Sequence, residues 1–98
     1  METKERDRII ELYDIYSTLL TDKQRAYFED YYYSDLSISE IAEEYEISRN
    51  GVHDQLKRVV NTLYKYESLL KLKEKMDKIN NLKIDDSIKK AIINILNE

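Results

Sequence analysis

A chain of 98 residues with no proline and one glycine, Gly51, has almost no means of turning sharply. Hairpin turns need residues that tolerate positive φ, and loops that cradle phosphates need several glycines. Neither supply is present. Few residues interrupt a helix, and with 37% of the chain charged every helix has a solvated face. The expected fold is all-α, and the length suits one domain with a modest core.

The same composition closes off other classes. Without cysteine there is no disulfide framework and no thiolate metal site. No run of 18 apolar residues occurs, so no membrane span is expected. The opening METKERDRIIELY is charged and lacks the apolar stretch of a signal peptide, which makes the cytoplasm the expected compartment.

Helical spacing orders the rest. Ile9, Leu12, Tyr13, Tyr16, Leu19 and Leu20 share one face of a first helix over residues 4–20. Thr21 is an N-cap, with Asp22 in the first turn of a second helix that runs to about Ser34 and buries Phe28, Tyr31 and Tyr32. Ser37 and Glu40 form a capping-box pair, opening a short helix that buries Ile38, Ile41, Ala42 and Tyr45. Ser48 caps the next helix, whose inward face is Val52, Leu56, Val59 or Val60, and Leu63. Two short helices joined by a tight turn make a helix-turn-helix over residues 37–58.

No breaker follows until about Asn80. A helix from Arg49 to Asn80 would be roughly 48 Å long, more than a domain of this size can cover. Leu69, Leu72, Met76 and Ile79 continue an apolar face, but its phase slips near Glu67 and Ser68. A kink or break there, or a second subunit, is expected. Asp85 or Asp86 caps a last helix carrying Ile88, Ala91, Ile92, Ile95 and Leu96. The reading is a bundle of about five to six helices with a long C-terminal helical extension. Residues 1–66 form the helix-turn-helix domain, and residues 67–98 form the extension. Self-association as a homodimer is expected through residues 67–96.

Net charge is −4, yet its placement is uneven. Residues 21–47 carry −6, whereas residues 48–66 carry +3 from Arg49, Lys57, Arg58 and Lys65 against Asp54. Positive charge thus gathers on the second helix of the motif, where a duplex reader needs it. Arg49, Asn50, His53, Asp54 and Gln55 occupy its first turns, and Lys57 and Arg58 follow within reach of phosphates. Arg can bond guanine bidentately, and Asn or Gln can do the same with adenine. A carboxylate at Asp54 is repelled by phosphate but can accept from a cytosine amino group.

His53 is the only histidine, and Glu40, Glu43, Glu44 and Glu46 spread around a solvated helix, so neither a metal nor another cofactor is expected. The prominent serines sit at helix caps without a partner base, so no enzyme activity is expected. Tyr31, Tyr32 and Tyr33 are consecutive and point in three helical directions. They suit the edge of a core better than a base-stacking platform.

The segment LTDKQR, then DLSISEIAEEYEISRNGVHDQLKRV, resembles region 4 of bacterial sigma factors and related response regulators. With YYYSDLS and the basic-aliphatic tail, the chain is more similar to the YlxM-like (p13-like) family of small bacterial proteins over roughly residues 5–80. That resemblance implies a sigma region 4-like helix-turn-helix and a regulatory, DNA-binding role. It also implies action in or near the signal recognition particle pathway, with the particle's protein or RNA as partner. An adaptor that binds such a component without reading DNA is the alternative. Glu46 stands where sigma-like sequences usually carry glycine or asparagine at the turn, at a cost of about 1 kcal/mol if the backbone there is left-handed.

Overall fold

A computed structural model describes residues 3–98 of the chain; the first two residues of the 1–66 domain lie outside it. Six α-helices follow in order: α1 (Thr3–Tyr16), α2 (Asp22–Tyr32), α3 (Ile38–Tyr45), α4 (Arg49–Leu70), α5 (Leu72–Asn80) and α6 (Asp86–Leu96). A 3₁₀ turn, Ser17–Leu19, joins α1 to α2, and no strand occurs among the described residues. This is the all-α helix-turn-helix bundle expected from the sequence.

Local chemistry fixes the starts of the first helices. At Thr21 the hydroxyl accepts from Gln24 N at 3.1 Å, and the Gln24 side chain accepts from Thr21 N at 2.9 Å. This second capping box was not visible as such in the sequence reading. Arg25 donates to Ser17 O and Leu20 O at 3.1 and 2.8 Å, tying α2 to the end of the 3₁₀ turn, whose own hydrogen bond runs from Leu20 N to Ser17 O.

α4 is the central post, packed against α1, α2 and α3. One core cluster joins Ile9, Leu12, Tyr13 and Tyr16 of α1 to Phe28, Tyr32, Val59 and Leu63. Tyr13 lies flat on Phe28 with ring centres 4.0 Å apart, and Phe28 stacks in turn on Tyr32 at 4.4 Å. A second cluster, Tyr27, Ile41, Ala42, Val52 and Leu56, joins α2 and α3 to the first turns of α4.

Several burial expectations shift by one position. Tyr27 is buried where Tyr31 was expected, and Tyr31 is half-buried at the junction of the two clusters. Val59, not Val60, points inward. Leu19 falls in the 3₁₀ turn, loses the α-helical phase and is 51% exposed. Of the three consecutive tyrosines, Tyr32 is buried, while Tyr33 is exposed and donates to Asp14 at 2.9 Å.

The long helix breaks at Lys71, three residues beyond the phase slip, where the backbone is left-handed at φ 55°. Tertiary partners set the position. The Tyr16 hydroxyl donates to Glu67 Oε1 at 2.6 Å and accepts from Leu72 N at 3.1 Å. Glu67 also accepts from Lys73 N at 3.0 Å and Glu74 N at 3.1 Å. One carboxylate and one phenol thus cap α5 in place of an ordinary N-cap side chain. Lys73 completes the clasp, with Nζ 2.8 Å from both Glu11 of α1 and Asp77 of α5. Those two hydrogen bonds, Asp77's first, hold the Lys73 ammonium above its ordinary pKa.

Beyond the clasp, α5 and α6 form a helical hairpin, capped at Asp85, whose Oδ1 accepts from Ser87 N and Oγ. No residue of α5 or α6 is fully buried. The molecule is drawn out accordingly, to 50 × 24 × 20 Å.

Candidate nucleic-acid interface

The motif is built from two side-chain-capped helix starts and one left-handed residue between them. Ser37 Oγ accepts from Glu40 N at 3.0 Å, and Glu40 Oε1 accepts from Ser37 N at 3.1 Å, the box read from the sequence. α3 ends at Glu46, which is left-handed at φ 55° and ψ 44°. That conformation reverses the chain so that Ile47 N returns to Ala42 O at 3.0 Å. Ser48 Oγ then accepts from Gly51 N at 2.9 Å and starts α4. Gly51 is helical, so its use is space: a Cβ there would stand 3.2 Å from Ser48 Oγ and 3.5 Å from Ile47 Cδ1.

Val52, Leu56, Val59 and Leu63 face the core, which fixes what α4 presents outward. At roughly 100° per residue, Asn50, Asp54 and Lys57 lie opposite that core face. Arg58 flanks them on one side, Arg49 and His53 on the other. Arg49, Asn50, His53, Lys57 and Arg58 are exposed. Gln55 is half-buried on the flank away from His53, so the six candidate residues do not form one patch. Asn61 and Lys65, also exposed, continue the outward stripe. Asn61 was not singled out from the sequence, and Lys65 was counted there only for its charge, although the same helical period places both on this face.

Among the described residues, Arg49, Lys57 and Arg58 form no ion pair within 4 Å, and Asp54 pairs with neither neighbour. Their charges are therefore open to a ligand. The adjoining surface is opposite in sign: Glu40, Glu43, Glu44 and Glu46 are all exposed. Tyr45 ties α3 to α2 by donating to Asp30 Oδ2 at 2.9 Å. Burial, followed by that hydrogen bond, pushes its phenol up to about 12. An open groove of about 230 Å³ runs beside α4, with Ile9, Tyr32 and Leu56 among its lining and Glu5, His53 and Lys57 also bordering it.

No three His, Cys, Asp or Glu side chains among the described residues converge as metal ligands would. Among the described residues, no helix is long and apolar enough to cross a membrane.

A family model described as "Putative helix-turn-helix protein, YlxM / p13 like", UPF0122, matches residues 3–97. The chain belongs to this family. A UPF0122 protein of Pediococcus pentosaceus is 44% identical over 85 residues, covering 87% of this chain and 74% of the relative. The UPF0122 protein YlxM of Bacillus subtilis is 42% identical over 87 residues, 85% of this chain and 79% of the relative. A third relative, from Ureaplasma parvum, is 51% identical over 74 residues, 76% of this chain and 75% of its own length. The family is described by its helix-turn-helix. Membership in UPF0122 agrees with the YlxM-like resemblance read from the motifs.

Proposed function

We propose that this UPF0122 protein is a regulatory DNA-binding protein that lays α4 in the major groove. The observation that carries the reading is the outer side of α4, where Lys57 and Arg58, with Arg49 on the flank of the first turn, are exposed and free of ion pairs among the described residues. In this reading Arg49, Asn50 and His53 meet base edges, Lys57 and Arg58 meet phosphates, and the Asp54 carboxylate, beside them on the helix, opposes phosphate and weakens the contact. Gln55, on the flank, contacts the backbone. Binding to duplex DNA at ~50 mM salt should follow a log–log salt slope of roughly −3 to −4, as a few phosphate contacts require. The double change Arg49→Ala and Lys57→Ala should weaken it at least tenfold. No binding by the wild type, or none lost in the double variant, defeats the proposal.

A second reading has its own support. The acidic surface of α3, with Glu40, Glu43, Glu44 and Glu46 exposed, suits a basic partner. The family resemblance points to the protein or RNA of the signal recognition particle. As an adaptor, the chain would co-purify with the particle and release it on Glu43→Lys with Glu44→Lys, while the α4 variants left that association intact. Absence of the particle from the purified complex removes this reading.

A further inference from the structure

The α5–α6 hairpin has an apolar seam whose spacing and ends match a second copy of itself. On α6, Ile92, Ile93 and Leu96 are half-buried, whereas Ile88, Ala91 and Ile95 point away, with Ile88 50% and Ile95 65% exposed. Their spacing, three residues and then four, is that of a helix–helix seam. Ala91, small and central, allows close approach where two helices cross.

The ends of the hairpin are complementary. Its tip carries exposed Leu82 and Ile84 with Lys83 between them, outweighed by acidic Asp85 and Asp86; its root carries exposed Leu69 and Leu70, followed by Lys71 and Lys75. Among the described residues neither lysine forms an ion pair. An antiparallel arrangement carries each tip to the partner's root, leucine to leucine and aspartate to lysine. A parallel one would stack like charges.

The area is of the right order. The six large aliphatic side chains named as exposed here, from 38 to 68% open, present on the order of 500 Å² of apolar surface. A monomer's largest patch is typically ~300–600 Å², and a stable interface buries about 800 Å² per partner. The polar rim of the hairpin supplies the remainder.

We infer that the chain forms a two-fold homodimer through this hairpin, with α6 antiparallel to its mate. The two-fold axis passes near Ala91, and Ile88 of each copy packs on Ile95 of the other. The inference goes beyond what α4 binds and stands independently of it.

Light scattering coupled to gel filtration on the full chain tests the arrangement. The wild type should run with the mass of two chains at tens of micromolar and dissociate on dilution. Ile88→Lys combined with Ile95→Lys should be monomeric, with helical circular dichroism unchanged. Ile88→Lys combined with Ile95→Glu should restore the dimer, because the antiparallel seam sets each lysine against a glutamate of the other copy. Since the chain has no cysteine, Ala91→Cys should cross-link to a covalent dimer under mild oxidation, keeping a readout should the charged variants unfold. A wild-type mass of one chain up to several hundred micromolar overturns the inference. So does a monomer that instead collects on lipid vesicles, or a dimer unmoved by the double lysine variant.

Discussion

Three side chains sit in the left-handed region that favours glycine: Asp35, Glu46 and Lys71, each with φ near 55°. Glu46 and Lys71 end α3 and α4, and Asp35 lies in the loop between α2 and α3, while the one glycine lies inside a helix. Glu46 was legible from the sequence, because the motif demands a reversal between two capped helices. Lys71 was not, since nothing local distinguishes it from an ordinary polar helix residue, and Asp35 fell in the linker between Ser34 and Ser37, where nothing local fixed its conformation. Replacing Glu46 by glycine should raise stability by about 1 kcal/mol, read from the urea midpoint, because the strain of a Cβ in that region outweighs the added freedom of the unfolded chain. No gain would mean that Glu46 is held there by interactions that offset the strain. At the same scale, Asp54→Asn removes the one carboxylate from the outward stripe of α4. DNA affinity should rise about three- to tenfold in a binding titration at ~50 mM salt, with Lys57→Ala reducing the magnitude of the salt slope by about one. An unchanged or weaker affinity for Asp54→Asn would place that side chain away from phosphate, at a base or at solvent.

Helix positions, caps and inward faces followed from periodicity, because apolar residues three and four apart leave a helix few ways to bury them. Val52, Leu56 and Leu63 are buried as that pattern requires. The end of α4 shows where the method stops. The apolar phase slips at Glu67, but the break falls at Lys71 because Glu67 and Tyr16, 51 positions apart, together accept the first amides of α5. A contact of that sequence separation leaves no trace in a local window. The outward stripe of α4 was half legible for a related reason. Its candidate residues came from their place in the first turns and their hydrogen-bonding type, which do not tell Gln55 on the flank from Asn61 on the face. The clasp can be measured as a coupling. Glu67→Ala should lower stability by about 2 kcal/mol, since it leaves two backbone amides and a buried phenol without their acceptor. Tyr16→Phe should lower it by about 1 kcal/mol. The double variant should lose less than the sum, with a coupling energy of at least 0.5 kcal/mol by denaturant unfolding. Additive losses would mean that the two groups act separately and that something else holds the break.

The molecule as a whole depends on phenols from nine tyrosines in 98 residues, several placed where ionisation would oppose folding. Burial first, and then Glu29, pushes Tyr13 up to about 12. Burial and the hydrogen bond to Glu67 do the same for Tyr16, and burial and Asp30 for Tyr45. In the unfolded chain each would ionise near pH 10. Between about pH 10 and 12 the unfolded chain therefore sheds protons that the folded chain retains, so rising pH draws the equilibrium toward unfolding. Below pH 10 the contribution is fully present; through the folded value it is lost, roughly 2 kcal/mol each for deeply buried Tyr13 and Tyr16. Because Tyr13 and Tyr16 belong to the α1–α4 core and Tyr45 ties α3 to α2, ionisation strikes both core clusters at once. Helix loss by circular dichroism and tyrosinate absorbance near 295 nm should then rise together in one transition above pH 10. Tyr16→Phe should shift that transition to higher pH even though it weakens the fold at pH 7. Stepwise tyrosinate formation with the helices intact to pH 12 would show that the phenols ionise in place, and that the core does not depend on their protons.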